Sequence, residues 1–155
     1  MRRRKAEVRV IAPDARYGSE LIQKFINMVM YEGKKALATN IVYAAIGGLQ
    51  GKVEDEDLAK AFVKILDNAR PRMILKARRI GGATYQVPTE VSREKGLLIA
   101  LRWLRDSARG RKGKPMQEKL AEELLSASKG EGSVIKKRDD THKMAEANRA
   151  FAHFK

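Results

Sequence analysis

The sequence predicts a mainly α-helical protein: a six-helix bundle with a protruding two-stranded β-hairpin arm. Three observations carry this. Apolar residues recur at helical spacing in six separate segments, each bounded by residues that start or stop helices. Residues 72–91, "RMILKARRIGGATYQVPTEV", instead form two strand-like runs around Gly81-Gly82. No internal repeat or low-complexity linker divides the 155 residues, so a single domain spanning 1–155 is expected, with a basic arm over residues 1–18. A chain of this size buries roughly 68–70% of its unfolded surface, enough for a core of its own.

The first helix starts at Ser19, an N-cap residue, with Glu20 in its first turn. Leu21, Ile22, Phe25, Ile26 and Val29 form its apolar stripe and Gly33 is the expected stop. Lys34 and Lys35 open the second, with Leu37, Ile41, Ala44, Ala45 and Leu49 on one face, fading at Gly47, Gly48 and Gly51. Asp55 and Glu56 suit the positive N-terminal end of a third, whose Leu58, Phe62, Ile65, Leu66 and Ala69 repeat until Pro71 breaks it.

Ser92 is placed to cap a fourth helix with Leu97, Leu101, Leu104 and Ala108 as its seam and Trp103 beside it. The basic loop "RGRKGK" follows. Pro115 then fits the first position of a fifth helix, where Met116, Leu120, Leu124 and Ala127 continue the pattern to Gly130. A last helix is expected to start near Asp139 or Asp140 and to use Met144, Ala147 and Phe151, with Lys136, Lys137 and Arg138 in its approach.

Gly81-Gly82 is a natural two-residue hairpin turn, because both central positions need positive φ, which glycine adopts without side-chain cost. Pairing Ile80 with Ala83 sets Arg78 against Tyr85 and Lys76 against Val87 on one face, and Arg79 against Thr84 and Ala77 against Gln86 on the other. Neither face is apolar, and an isolated hairpin is marginal in water. Its base must therefore rest on the helices while its tip gains order from a partner. Arginine and lysine at such a tip grip phosphates, and Tyr85 offers a flat surface to a sugar or an unpaired base.

Charge names the partner. Lys and Arg number 33 against 19 Asp and Glu, a formal net charge of +14, and this self-repulsion is relieved by a polyanion. A membrane surface is the weaker alternative, since no apolar run approaches the roughly 20 residues a bilayer span requires. The start, "MRRRKAEVRVIAPDARYGS", lacks the apolar core of an export signal. Zero cysteines exclude disulfides and thiolate metal sites. The only histidines, His142 and His153, lack zinc spacing, so hydrogen bonding or exposure is expected of them. "GKK" is no P-loop, because the preceding glycine and following hydroxyl are missing at the required spacing. Asp55-Glu56-Asp57 and Glu122-Glu123 read as helix-dipole or ion-pair partners rather than acid–base pairs. No catalytic residue, cofactor or metal is expected.

Long ordered phrases now carry a resemblance: "PDARYGSELIQKFINMVMYEGKKALATNIVYAA", "NARPRMILKARRIGGATYQVPTEV", "ALRWL" and "KKRDDTHKMAEANRAFAH". Together they resemble the bacterial small-subunit ribosomal protein seven family. The resemblance implies a non-enzymatic constituent of the small ribosomal subunit in the cytoplasm, an organellar ribosome staying open. It implies binding to the 3′ major domain of 16S rRNA and initiation of head assembly. It places the hairpin near exit-site tRNA and mRNA, with ribosomal protein eleven as a neighbour; some family members also bind their own mRNA as repressors.

Carried over by position, the RNA-facing residues are Arg2, Arg3, Arg4 and Lys5 in the arm, Lys34 and Lys35 in "GKK", and Arg72, Lys76, Arg78, Arg79 and Tyr85 in the hairpin stretch. Arg102 of "ALRWL" joins them, and Arg111, Lys112 and Lys114 are assigned by charge alone. Two rivals stand beside this reading. An architectural DNA protein would carry an apolar wedge at the ribbon tip, where this chain has two glycines. An RNA-modifying enzyme would need a nucleotide cradle, metal cluster or nucleophile constellation.

Overall fold

The computed structural model describes residues 4, 6, 7, 9–53 and 57–154. In chain order it contains α1 (Glu20–Val29), α2 (Lys35–Gly47), α3 (Leu58–Ala69), β1 (Met73–Ile80), β2 (Ala83–Glu90), α4 (Arg93–Gly110), α5 (Met116–Ser128) and α6 (Ser133–Ala147), followed by a 3₁₀ turn, Arg149–Phe154. The protein is mainly helical, six helices plus one antiparallel hairpin among the described residues.

Helix α5 is the centre of the bundle because it packs against α2, α3 and α4 at once. Its Leu120 and Leu124 are fully buried, and around them the stripes of α1, α3 and α4 supply Ile22, Phe25, Phe62, Leu66, Leu101 and Leu104. Phe25 and Phe62 meet at 5.5 Å between ring centroids, within the range that favours tilted aromatic pairs. Helix α6 adds Val134 and Ile135 to this core from its first turn, packing against α3, α4 and α5, and its other neighbour is the hairpin.

Local chemistry sets the helix ends. The Ser19 hydroxyl accepts from the Ile22 N–H, as an N-cap should. Asp55 and Glu56 lie outside the described residues, and the cap of α3 is Asp57, whose carboxylate accepts from the Ala59 and Lys60 N–H groups. Ser92 occupies the N-cap of α4 but its hydroxyl makes no capping bond. Pro115 is the N-cap of α5, one position before the first turn expected of it. α1 ends before Gly33, because Met30 is already extended at ψ 138°. α4 runs to Gly110 and so takes Arg109 out of the basic loop.

Two helices differ more. The buried seam of α2 and the residues after it is Ala38, Val42, Ala45, Ile46 and Leu49, rotated by one residue from the expected face; Leu37 and Ala44 are exposed. This helix is apolar nearly all round, so periodicity alone leaves its phase open. α6 starts at Ser133, well before Asp139, with Lys136, Lys137 and Arg138 inside it. Its buried residues are Val134, Ile135 and Ala145, whereas Met144 and Ala147 face solvent. Phe151 belongs to the 3₁₀ turn and packs on the hairpin, outside the core.

Candidate nucleic-acid interface

The hairpin has the expected register throughout, with Lys76 opposite Val87, Arg78 opposite Tyr85, Arg79 opposite Thr84 and Ile80 opposite Ala83. Gly81 and Gly82 take φ of 57° and 87°, the doubly positive turn that glycine permits. Burial falls from base to tip. Val87 and Pro88 are buried and residues 73–75 half-buried, while 76–84 are exposed. The exposed half of β1, five residues, is about 17 Å long at strand rise. α6 supports both strands, and the 3₁₀ turn covers β2.

Tyr85 and Val87 face that support. The Tyr85 ring lies 5.3 Å from the Phe151 ring at 53°, so one of its surfaces is occupied. Lys76 and Arg78 share this face on the neighbouring strand and remain exposed, while Arg79 projects from the opposite face. Lys76 and Arg79 form no ion pair with any described residue. A cation left unpaired by its own fold keeps its full attraction for phosphate.

Below the hairpin base lies a polar cleft of about 360 Å³ lined by the end of α3, Arg70 and Arg72 of the connection to β1, and α6. Here the Arg72 N–H donates to His142 Nε2 at 2.9 Å, so this nitrogen carries no proton. Burial, then the Arg138 guanidinium, holds His142 below its ordinary value; Arg72 acts in the same direction and Asp139 against it. Asp67, at the end of α3, receives Arg93 at 2.7 Å and Arg70 at 2.8 Å. The Arg93 hydrogen bond holds the Asp67 carboxyl low despite its burial. Arg138 also donates to the Asn68 carbonyl. Arg72, singled out for RNA, is exposed, while its backbone N–H ties the start of the hairpin to α6.

The N-terminal arm leaves the body at Asp14, which sequence reasoning missed. Its carboxylate accepts from the N–H groups of Arg16 (3.1 Å), Tyr17 (2.9 Å) and Ser19 (2.9 Å) and from the Tyr43 hydroxyl (3.1 Å). Burial pushes this carboxyl up, but these four donors together hold it below the usual value. Burial, then the Asp14 bond, raises the Tyr43 hydroxyl. The Arg16 guanidinium stacks over both Tyr17 and Tyr43. The signal was the spacing in "PDARYGS", an Asx-turn ahead of a capping serine. Arg4 is exposed; Arg2, Arg3 and Lys5 lie outside the described residues.

Lys34 and Lys35 stand exposed on the turn between α1 and α2, Lys34 paired at 2.8 Å with the equally exposed Glu32. Arg109 donates to the Val29 carbonyl at 3.2 Å and so brings the end of α4 to this turn. Arg102 is exposed on α4. The loop after α4 divides: Lys112 is exposed with no ion pair to a described residue, whereas half-buried Arg111 and exposed Lys114 are both paired with carboxylates of α5. Arg111 pairs with Glu122 at 3.0 Å and with Glu123, Lys114 with Glu122. Glu123 is 1% exposed and also accepts from Ser133 at 3.2 Å, which joins this loop to the start of α6. The join is tight: a Cβ on Gly132, at φ +96°, would lie 2.8 Å from Ser126 Cβ. Lys137, over the Trp103 ring at 5.4 Å, and Arg138 serve packing.

Among the described residues no group of three or more metal-ligating side chains is arranged to hold an ion, and no helix is long and apolar enough to cross a membrane. The sequence profile described as "Ribosomal protein S7p/S5e" matches residues 1–149. The chain is 54% identical over 155 residues to "Small ribosomal subunit protein uS7" of Fervidobacterium nodosum, covering 100% of this chain and 99% of the relative. It is 51% identical to the protein of that name from Caulobacter sp. strain K31 over 99% of this chain and 98% of the relative. It is 50% identical to that of Thermotoga petrophila over 100% and 99%. The helical body, the protruding hairpin and these full-length matches place the chain in the ribosomal protein S7p/S5e family, whose members are structural and non-enzymatic.

Proposed function

We propose that this protein is a structural constituent of the small ribosomal subunit that binds the 3′ major domain of 16S rRNA and starts assembly of the head. The full-length likeness to small-subunit proteins supports the setting, and one observation carries the binding mode. The outer half of the hairpin stands clear of the helices with Lys76, Arg78 and Arg79 exposed upon it.

A rigid core fixes where the hairpin, arm and turn cations point, so binding several RNA segments orders them relative to one another. Phosphate contacts supply affinity; shape, 2′-hydroxyls and stacking on unpaired bases supply specificity. The free tip reaches toward exit-site tRNA and mRNA, and ribosomal protein eleven lies alongside. Replacing Lys76, Arg78 and Arg79 by alanine tests this reading. The variant should still fold cooperatively, lose affinity for naked 3′-domain RNA, and show a log–log salt slope shallower by about 2, at roughly 0.7–0.9 per phosphate contact. Unchanged affinity and slope would remove the hairpin from the interface.

A further inference from the structure

We propose that Tyr31 is a stacking platform for one unpaired RNA base, and that Lys34, Lys35 and Arg109 hold the phosphates flanking that nucleotide. This rests on the RNA-binding reading and assigns it a base-contacting residue outside the hairpin. Among the described residues five large apolar side chains are exposed: Val10, Tyr31, Leu37, Ile80 and Met144. Two of the five belong to the connection between α1 and α2 and its first helical turn, and Tyr31, 68% exposed, is the only aromatic ring of the set. Single exposed apolar residues are ordinary on a protein surface, but an exposed ring on a turn that also carries Lys34 and Lys35 and receives Arg109 calls for a partner.

The backbone holds the ring out. Met30 leaves α1 in extended conformation, and the Lys34 N–H closes the turn on the Tyr31 carbonyl at 3.0 Å. Between them Glu32, at φ 51°, is the only non-glycine residue with positive φ among those described, followed by Gly33 at φ 73°. A glutamate in this region costs about 1–2 kcal/mol, so the turn keeps this shape against its local preference. Arg109, bonded to the Val29 carbonyl two residues before Tyr31, sets a guanidinium beside the same turn. Lys35 has no ion pair with a described residue, and the Lys34–Glu32 pair, exposed on both sides, is weak enough to yield to a phosphate.

A base fits this chemistry better than a protein surface does. Every base has a flat π-face, whereas an apolar protein partner would have to desolvate three cations to reach the ring. The experiment compares the full-length wild type with Tyr31→Ala, Tyr31→Phe, Tyr31→Trp and Lys35→Ala on naked 3′-domain RNA, with ultraviolet crosslinking at Tyr31 in assembled subunits. Tyr31→Ala should bind about 5- to 150-fold more weakly with an unchanged salt slope. The aromatic replacements should bind near wild type, and Lys35→Ala should reduce the slope by about 1. Wild-type affinity in Tyr31→Ala, aromatic variants no better than alanine, or a crosslink to protein alone would each overturn the stacking role while leaving the hairpin interface standing. Failure of the wild type to prefer folded ribosomal RNA over duplex DNA would overturn the RNA-binding reading, and this inference with it.

Discussion

Asp14 shows how much one buried carboxylate organises when its donors belong to different parts of the chain. Three backbone N–H groups close the turn that leads into α1, and the Tyr43 hydroxyl ties that turn to α2, so the arm leaves the body in one direction. Asparagine at this position keeps the shape but loses the charge, and a charge-assisted bond is worth about 1.5–3 kcal/mol. Asp14→Asn should therefore lower stability at neutral pH by about 1–3 kcal/mol in urea unfolding. The pH dependence follows from the depressed carboxyl. Stability contributed by such a group is fully present above the unfolded value of about 3.9 and is lost as pH falls through the lower folded value. The gap between wild type and variant should be constant from about pH 7 to 5 and shrink below about 4. A gap that stays constant to pH 2.5 would show that geometry rather than charge is responsible.

At the scale of the element, the hairpin depends on a support that its own residues do not describe. The Arg72 N–H to His142 Nε2 bond reaches from the residue before β1 to α6 and requires a neutral imidazole. Burial and the facing Arg138 and Arg72 disfavour the imidazolium, against Asp139. A histidine whose folded value is depressed contributes stability above its unfolded value of about 6.5 and loses it as pH falls from there toward the folded value. Lowering pH from about 7.5 to 5.5 should thus reduce protection of the Arg72 amide in hydrogen exchange by about fivefold, one net hydrogen bond. His142→Ala should show the lower protection at both pH values. A histidine-independent pH response would place the hinge elsewhere. The sequence pattern reveals the hairpin and its register because Gly81-Gly82 admits one tight turn and the pleat then determines every pair. It does not reveal α6, since Asp139 and Asp140 imitate a helix start but sit mid-helix, where Asp139 pairs with Arg138. Nor does it separate Lys76, exposed and unpaired, from Arg111, held by Glu122 and Glu123. Composition counts charges, and only the fold says which are already neutralised.

Across the whole molecule the excess charge is a stability problem that the fold leaves unsolved. The formal charge is +14. Arg111, Lys114, Arg70, Arg93 and Arg138 are matched to carboxylates on α3, α5 or α6, whereas Lys35, Lys76, Arg79, Arg102 and Lys112 face solvent without an ion pair to a described residue. Unmatched like charges repel across the surface and favour expansion of the chain, an effect that salt screens within a Debye length of about 10 Å at 0.1 M. Raising ionic strength should therefore increase the unfolding midpoint of the free protein, the opposite of what loss of surface ion pairs alone would do. A bound polyanion should do more, because a ligand at about 100 times its dissociation constant stabilises by about 2.7 kcal/mol, or roughly 5–10 °C for a domain of this size. Short ribosomal RNA fragments and heparin, each at matched saturation, should produce that shift at low salt, and the increment should fade as salt is added. A midpoint that drops with salt and ignores polyanions would mean that the internal ion pairs outweigh the unpaired cations, and the charge would then have no binding role to explain.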